Sequence, residues 1–217
     1  MRYSLSSLSR WNWRKVSPQS ILRFSSGEDP SPLFLWLGQA DNSVTTKNSS
    51  LLLPVDPPSE PTVYTPADVL LQVNSHYEAD DHFVGGMGED DPGVYFASIN
   101  SDPLDYAELV QESISSVKEE RHGVPFSLFT SGLVASTIPL SELGLSTLQV
   151  SLYAGSPKDY AVASNNSEKD FGILCGFIVE AAEQGVAVEA WVLGKHATAA
   201  RDLAVSLGAQ DVKVVGG

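Results

Sequence analysis

The sequence predicts a parallel α/β domain, and three observations carry that reading. Short apolar runs rich in β-branched and aromatic residues recur at Leu33–Leu37, Val94–Ser98, Phe126–Thr130, Leu148–Leu152, Val186–Val192 and Val212–Val215. These runs are largely continuous rather than alternating, as in strands buried on both faces. Between most of them the apolar spacing lengthens to three and four residues, the period of an amphipathic helix. The chain has 217 residues, 42% of them apolar, enough for one globular body with extra segments. An open doubly wound sheet and a partial barrel both fit this order.

The elements follow from local chemistry. Glu28–Pro32 reads as a linker before the first strand, Leu33–Leu37. A polar stretch at 38–64 comes next, closing with Pro54, Pro57, Pro58 and Pro61. Connections of that length are either functional or disordered. Thr65-Pro66-Ala67-Asp68 then supplies an N-cap, a proline at the first helical position and an acid at the third, which predicts a helix over 66–76. Glu78–Gly93 is an acidic, Gly-rich loop with room for an extra strand at His82–Gly86. After the second strand Asp102 caps a helix whose first residue is Pro103, with Tyr106, Leu109, Val110, Ile114 and Val117 on one face and Gly123 at its end. The third and fourth strands follow. The strongest helix spans 168–184, its apolar stripe being Phe171, Leu174, Cys175, Ile178, Val179 and Ala182, with Gly185 as the C-terminal cap. A fifth strand, a helix over 195–207 closed by Gly208 and the sixth strand complete the series.

Charge is unevenly spread. Residues 1–27 carry Arg2, Arg10, Arg14, Lys15 and Arg23 and no acid, with many serines and interleaved Trp11, Trp13, Ile21, Leu22 and Phe24. This is the pattern of a disordered organellar transit peptide, read as mitochondrial with a plastid destination as the alternative. Without it the chain holds 8 basic and 27 acidic residues, a net charge of −19. Such a surface repels phosphate backbones, which excludes nucleic-acid binding through a basic face. No run approaches the roughly 18–20 apolar residues of a membrane span. The single cysteine, Cys175, excludes an intrachain disulfide and any site needing two thiolates. His76, His82, His122 and His196 form no metal-ligand spacing, although His82 lies beside Asp80 and Asp81. No Gly-x-Gly-x-x-Gly stands between a strand and a helix, no Walker loop is present, and Gly85-Gly86-Met87-Gly88 runs into acids.

Four stretches carry a family resemblance. They are Thr65-Pro66-Ala67-Asp68-Val69-Leu70, Phe96–Leu104 with Ser101-Asp102-Pro103, Phe129-Thr130-Ser131-Gly132-Leu133, and Gln149–Pro157. In order and spacing the chain from Leu33 to Val215 resembles the radical S-adenosylmethionine (SAM) enzymes. The resemblance implies a partial, TIM-like (β/α)6 barrel over 33–217. It places the first stretch at the helix after the cluster loop, and Ser101-Asp102-Pro103 where the family has a Gly-Glu-Pro element that contacts the SAM amino group. Thr130-Ser131-Gly132 corresponds to its Thr-Asn-Gly. Asp102, Thr130, Ser131, Gly132 and Ser151 are therefore the expected cofactor-binding residues.

The departure is as informative. Family members hold a [4Fe–4S] cluster by Cys-x3-Cys-x2-Cys after the first strand, whereas Gly38–Asn48 has no cysteine. Such clusters need thiolates, so no cluster and no radical chemistry are expected. Cys175, on a helix's apolar stripe, reads as a structural thiol. The expected function is that of a cluster-less, non-catalytic mitochondrial binding protein with residual affinity for SAM or another small ligand. Two alternatives remain: an active member whose cluster-loop exon is missing from this sequence, and a barrel enzyme using rim acid and base groups, with Lys195 the rim's one cation. A protein partner covering the edge near Val212–Val215 is also expected, because an exposed edge strand invites pairing.

Overall fold

The computed structural model describes residues 31–38, 51–78, 93–99 and 101–216. The leader 1–27, linker residues 28–30, loop residues 39–50 and the expected strand at His82–Gly86 lie outside the described residues. The elements in chain order are β1 (Leu33–Leu37), α1 (Pro66–Glu78), β2 (Val94–Ser98), α2 (Ala107–Glu120), β3 (Phe126–Thr130), β4 (Thr147–Tyr153), α3 (Pro157–Ser164), α4 (Glu168–Glu183), β5 (Val188–Leu193), α5 (Ala197–Ser206) and β6 (Asp211–Val215). One turn of 3-10 helix, Pro103–Tyr106, leads into α2. The six strands form one all-parallel sheet in consecutive order from β1 to β6, and no pairing joins β1 to β6.

Alternate residues of each strand divide the sheet into two faces. Leu35, Leu37, Phe96, Leu128, Val150 and Val192 join the apolar stripes of the helices in one fully buried cluster. Each such side chain contributes about 1.5–3 kcal/mol by leaving water. Val69 and Val73 of α1, Val110, Ile114 and Val117 of α2, and Leu174 and Ile178 of α4 supply the helical half. The other face carries Phe34, Trp36, Tyr95, Phe129, Gln149, Ser151, Glu189 and Trp191, which share register positions across the strands.

Caps behave as their residue types require. Asp68 accepts from the amides of Tyr64 and Thr65 and from the Thr65 hydroxyl, while the Asp68 amide donates to Thr65 Oγ1 at 3.3 Å. These donors hold the exposed Asp68 carboxyl below its usual range, the Tyr64 amide foremost. Gly185 ends α4 at φ +78°, its amide reaching Ala182 and the Val186 amide reaching Ala181. That closure consumes Val186 and Ala187, so β5 starts at Val188 rather than Val186. Cys175, Val179 and Ala182 are half-buried and Ala181 takes the inward place, a small rotation of the expected stripe. One helix escaped the sequence reading. Eight-residue α3 is too short for a clear period, although Ser156, Pro157 and Asp159 give it a cap and first turn.

Glycine is required at 155 by close approach. A Cβ there would lie 2.5 Å from the Ala199 carbonyl carbon and 2.7 Å from the Ala200 nitrogen, inside the first turn of α5. Gly155→Ala is expected to lower stability by about 1–3 kcal/mol in denaturant unfolding. Gly176→Ala, on α4 where a Cβ meets nothing within 4 Å, is expected to be neutral or to gain up to about 1 kcal/mol. Equal effects of the two substitutions would refute this account of the α5 contact.

Candidate functional site

The ends of β2 and β3 meet over one carboxylate. Asp102 is 1% exposed and caps the 3-10 turn by accepting from the Leu104 amide at 3.1 Å. Thr130 Oγ1 donates to it at 2.9 Å, and the Ser131 amide and hydroxyl each donate at 2.7 Å. A carboxylate offers about four acceptor sites, and these four donors fill them. Burial raises the Asp102 carboxyl above its ordinary value, while the Ser131, Leu104 and Thr130 donors pull the other way. Thr130 Oγ1 in turn accepts from the Gly132 amide at 3.0 Å, and Ser131 Oγ from the Leu133 amide at 3.3 Å. Gly132 turns at φ +68°, where a Cβ would come within 2.6 Å of Leu174 Cδ1.

Four of the five expected cofactor residues thus gather in one buried cluster whose polar groups are engaged within the chain. Ser151, the fifth, lies on β4 and accepts from the Leu52 amide at 2.9 Å. Beside the cluster Ser98 donates to the Leu37 carbonyl at 3.2 Å and bonds Ser101 at 2.7 Å, and Ser101 donates to Tyr106 at 3.2 Å. Lys195 is exposed; it has no burial that would make its amine a nucleophile.

The sheet's second face has a different character. Phe34 stacks on Trp36, Tyr95 and Phe129, with ring centroids 6.2, 5.3 and 6.1 Å apart. Phe129 on β3 and Trp191 on β5 meet edge to face at 5.1 Å, so their rings reach toward each other across β4. In register between Phe129 and Glu189 sits Gln149, 4% exposed. Its Oε1 has no hydrogen-bond partner among the described residues. The Trp191 indole donates to Glu189 at 2.7 Å, and Lys213 stands 3.8 Å from the same carboxylate. Burial raises the Glu189 carboxyl above its ordinary value, with Lys213 and the indole opposing. Gln149, Glu189 and Trp191 were not singled out from the sequence, because the runs holding them read as continuously apolar. The signal was present in the polar positions interrupting Leu148-Gln149-Val150 and Val188-Glu189-Ala190.

Burial raises the Cys175 thiol, as suits an unreactive side chain on α4. Among the described residues no group of three or more His, Cys, Asp or Glu could hold a metal ion. Nor is any described helix long and apolar enough to cross a membrane. His82 with Asp80 and Asp81, the Gly85–Gly88 run and most of the Gly38–Asn48 loop lie outside the described residues. No family model and no curated protein sequence matches this chain.

Asp102 binds its proton more tightly in the folded chain than in the unfolded one. Its contribution to stability is therefore greatest in acid and declines as pH rises through the raised value. Asp102→Asn places an amide NH2 among donors and is expected to cost about 2–4 kcal/mol near pH 4. The gap between wild type and variant, read by urea unfolding at several pH values, should narrow toward neutrality. A gap that widens with pH would contradict the burial argument.

Proposed function

We propose that this chain is a cluster-less, non-catalytic relative of the radical SAM enzymes, a partial (β/α)6 barrel that binds a small ligand on the inner face of its sheet. The leader 1–27 would carry it to the mitochondrion. The observation behind the binding role is Gln149, whose buried amide oxygen, set among aromatic rings, has no partner among the described residues. An unmet buried carbonyl costs about 1–3 kcal/mol, and a ligand that donates to it recovers that cost. Flat rings fit against Phe129 and Trp191 by stacking or edge contact. The consecutive strand order, with the helices' apolar stripes packed on one face, supports the barrel.

The family's cofactors fare differently against these residues. A [4Fe–4S] cluster does not fit, because the only thiol is Cys175 on α4. The SAM ammonium does not fit at Asp102 either, whose acceptor sites are already filled by Leu104, Thr130 and Ser131. The same saturation, together with the exposed Lys195, argues against an acid–base enzyme on this rim. A ligand on the sheet face depends on neither group.

Thermal unfolding of the full chain with SAM and with adenosine tests the reading. A ligand at a hundred times its dissociation constant stabilises by about 2.7 kcal/mol, a rise in Tm of roughly 5–10 °C for a chain this size. The expected result is a rise with at least one of the two that disappears in Gln149→Leu. A rise that survives Gln149→Leu moves the ligand off this face, and no rise with either compound removes the support for nucleoside-type binding.

A further inference from the structure

The two edges of the sheet are finished differently. Along β1 the outer side is occupied: the amides of Thr62 and Val63 donate to the Trp36 carbonyl at 2.9 and 3.0 Å, and the Trp36 amide donates to Thr62 Oγ1. β6 has no strand or strap on its far side among the described residues. The Ala187 carbonyl accepts from the Leu148 amide, so odd-numbered residues of β5 address β4, and Val188, Ala190 and Val192 address β6. Ala190 is in register with Val212, so the flanking residues Asp211 and Lys213 are those that bond β5. The amides and carbonyls of Val212 and Val214 point away from the sheet, and the Val212 amide is met by the Asp211 carboxylate at 2.8 Å. The strand contains no proline and no bulge that would blunt the edge. Val214 lies on the helix-covered face, with Val212, yet is 46% exposed, and Val205 of neighbouring α5 is 60% exposed.

We propose that β6 pairs antiparallel with β6 of a second copy of this chain, across a two-fold axis at Val212. The side-chain order selects this register. A pairing that keeps the helices of both copies on one side sets residues of equal parity opposite each other. Centring on Asp211 opposes two carboxylates and centring on Lys213 opposes two ammonium groups. Centring on Val214 sets Lys213 against Val215. Centring on Val212 sets each Asp211 against the other copy's Lys213, with Val212 against Val212 between them. The Val212 pair then falls where the outward amides and carbonyls exchange hydrogen bonds, once each Asp211 carboxylate leaves the Val212 amide for the other copy's Lys213. Like charges opposite one another are avoided. Lys213 currently lies 3.5 Å from Asp211 and 3.8 Å from Glu189 in its own chain, half-exposed and free to swing outward. A five-residue seam is small, so the dimer is a weak one.

Sedimentation equilibrium of the full chain, from roughly micromolar to millimolar concentration, tests this directly. Wild type is expected to pass from monomer to dimer. Lys213→Asp and Asp211→Lys each replace two attractive pairs by two repulsive ones and should each weaken self-association about 10-fold or more. The double variant Asp211→Lys/Lys213→Asp should associate as wild type does. Mixing the two single variants should give a heterodimer, since the opposed charges are complementary again; this readout guards against a variant that merely misfolds. A wild type that stays monomeric, single variants that dimerise as well as wild type, or a mixture that fails to associate each overturns the proposal.

Discussion

Six parallel strands in consecutive order impose one constraint on everything else. Right-handed crossovers between neighbours bring every connecting helix to the same side of the sheet. One face therefore gains a helical layer, and the core forms there from Leu35, Phe96, Leu128 and Val150 with their helical partners. The opposite face receives no helix from this topology and must be covered by its own large side chains and by connecting chain. Phe34, Trp36, Tyr95 and Phe129 do this on the β1–β3 half, stacking on one another. Toward β4 and β5 the cover becomes polar, with Gln149, Ser151 and Glu189 under the reach of Trp191. The connection after β1 crosses between these halves, bonding Ser151 at Leu52 and Trp36 at Thr62 and Val63.

Asp102 shows how the length of a side chain decides what a carboxylate at a strand end can reach. Aspartate is short, and its carboxylate folds back onto the Leu104 amide as a helix cap does. Once there it lies within reach of Thr130 and Ser131, which join β2 to β3 through it. A buried carboxylate without a cation survives only when its oxygens are fully hydrogen-bonded. Holding the strand ends together and receiving a ligand's ammonium are thus competing uses of the same lone pairs.

Much of this was legible in the sequence. β1, β2 and β3 begin and end where the apolar runs do, because proline or glycine precedes each run and Gly38, Ser98 or Ser131 closes it. The Asp102 cap was equally visible, since Asp-Pro followed by a helical period has few other meanings. The gathering of Asp102 with Thr130, Ser131 and Gly132 was expected from family order, but their mutual satisfaction was not. Hydrogen bonds across 28 and 29 residues of sequence separation leave no local trace. Helix α3 was missed because two turns cannot show a period. The aromatic face was missed for a deeper reason: in a doubly buried strand the two faces are both apolar, so alternation gives no sign of which residues meet helices.

That blindness makes Gln149 the more informative residue. At the centre of a strand with apolar neighbours on both sides, a leucine would fill similar space and leave nothing unbonded. Backbone pairing on β4 does not need the amide, and among the described residues no cap, turn or ion pair uses its oxygen. Its cost in the free chain is therefore not returned by the fold. Sites where a rule of polar satisfaction is broken without a local structural gain are where function is to be sought. Here the break lies between Phe129 and Glu189, beneath the ring of Trp191. Glu189 orients that ring through its indole N–H, so the group above the unmet oxygen is itself held by a side chain on the same face. On the sheet's second face, among the described residues, an unmet carbonyl thus stands beneath a ring that a side chain of the same face holds in place.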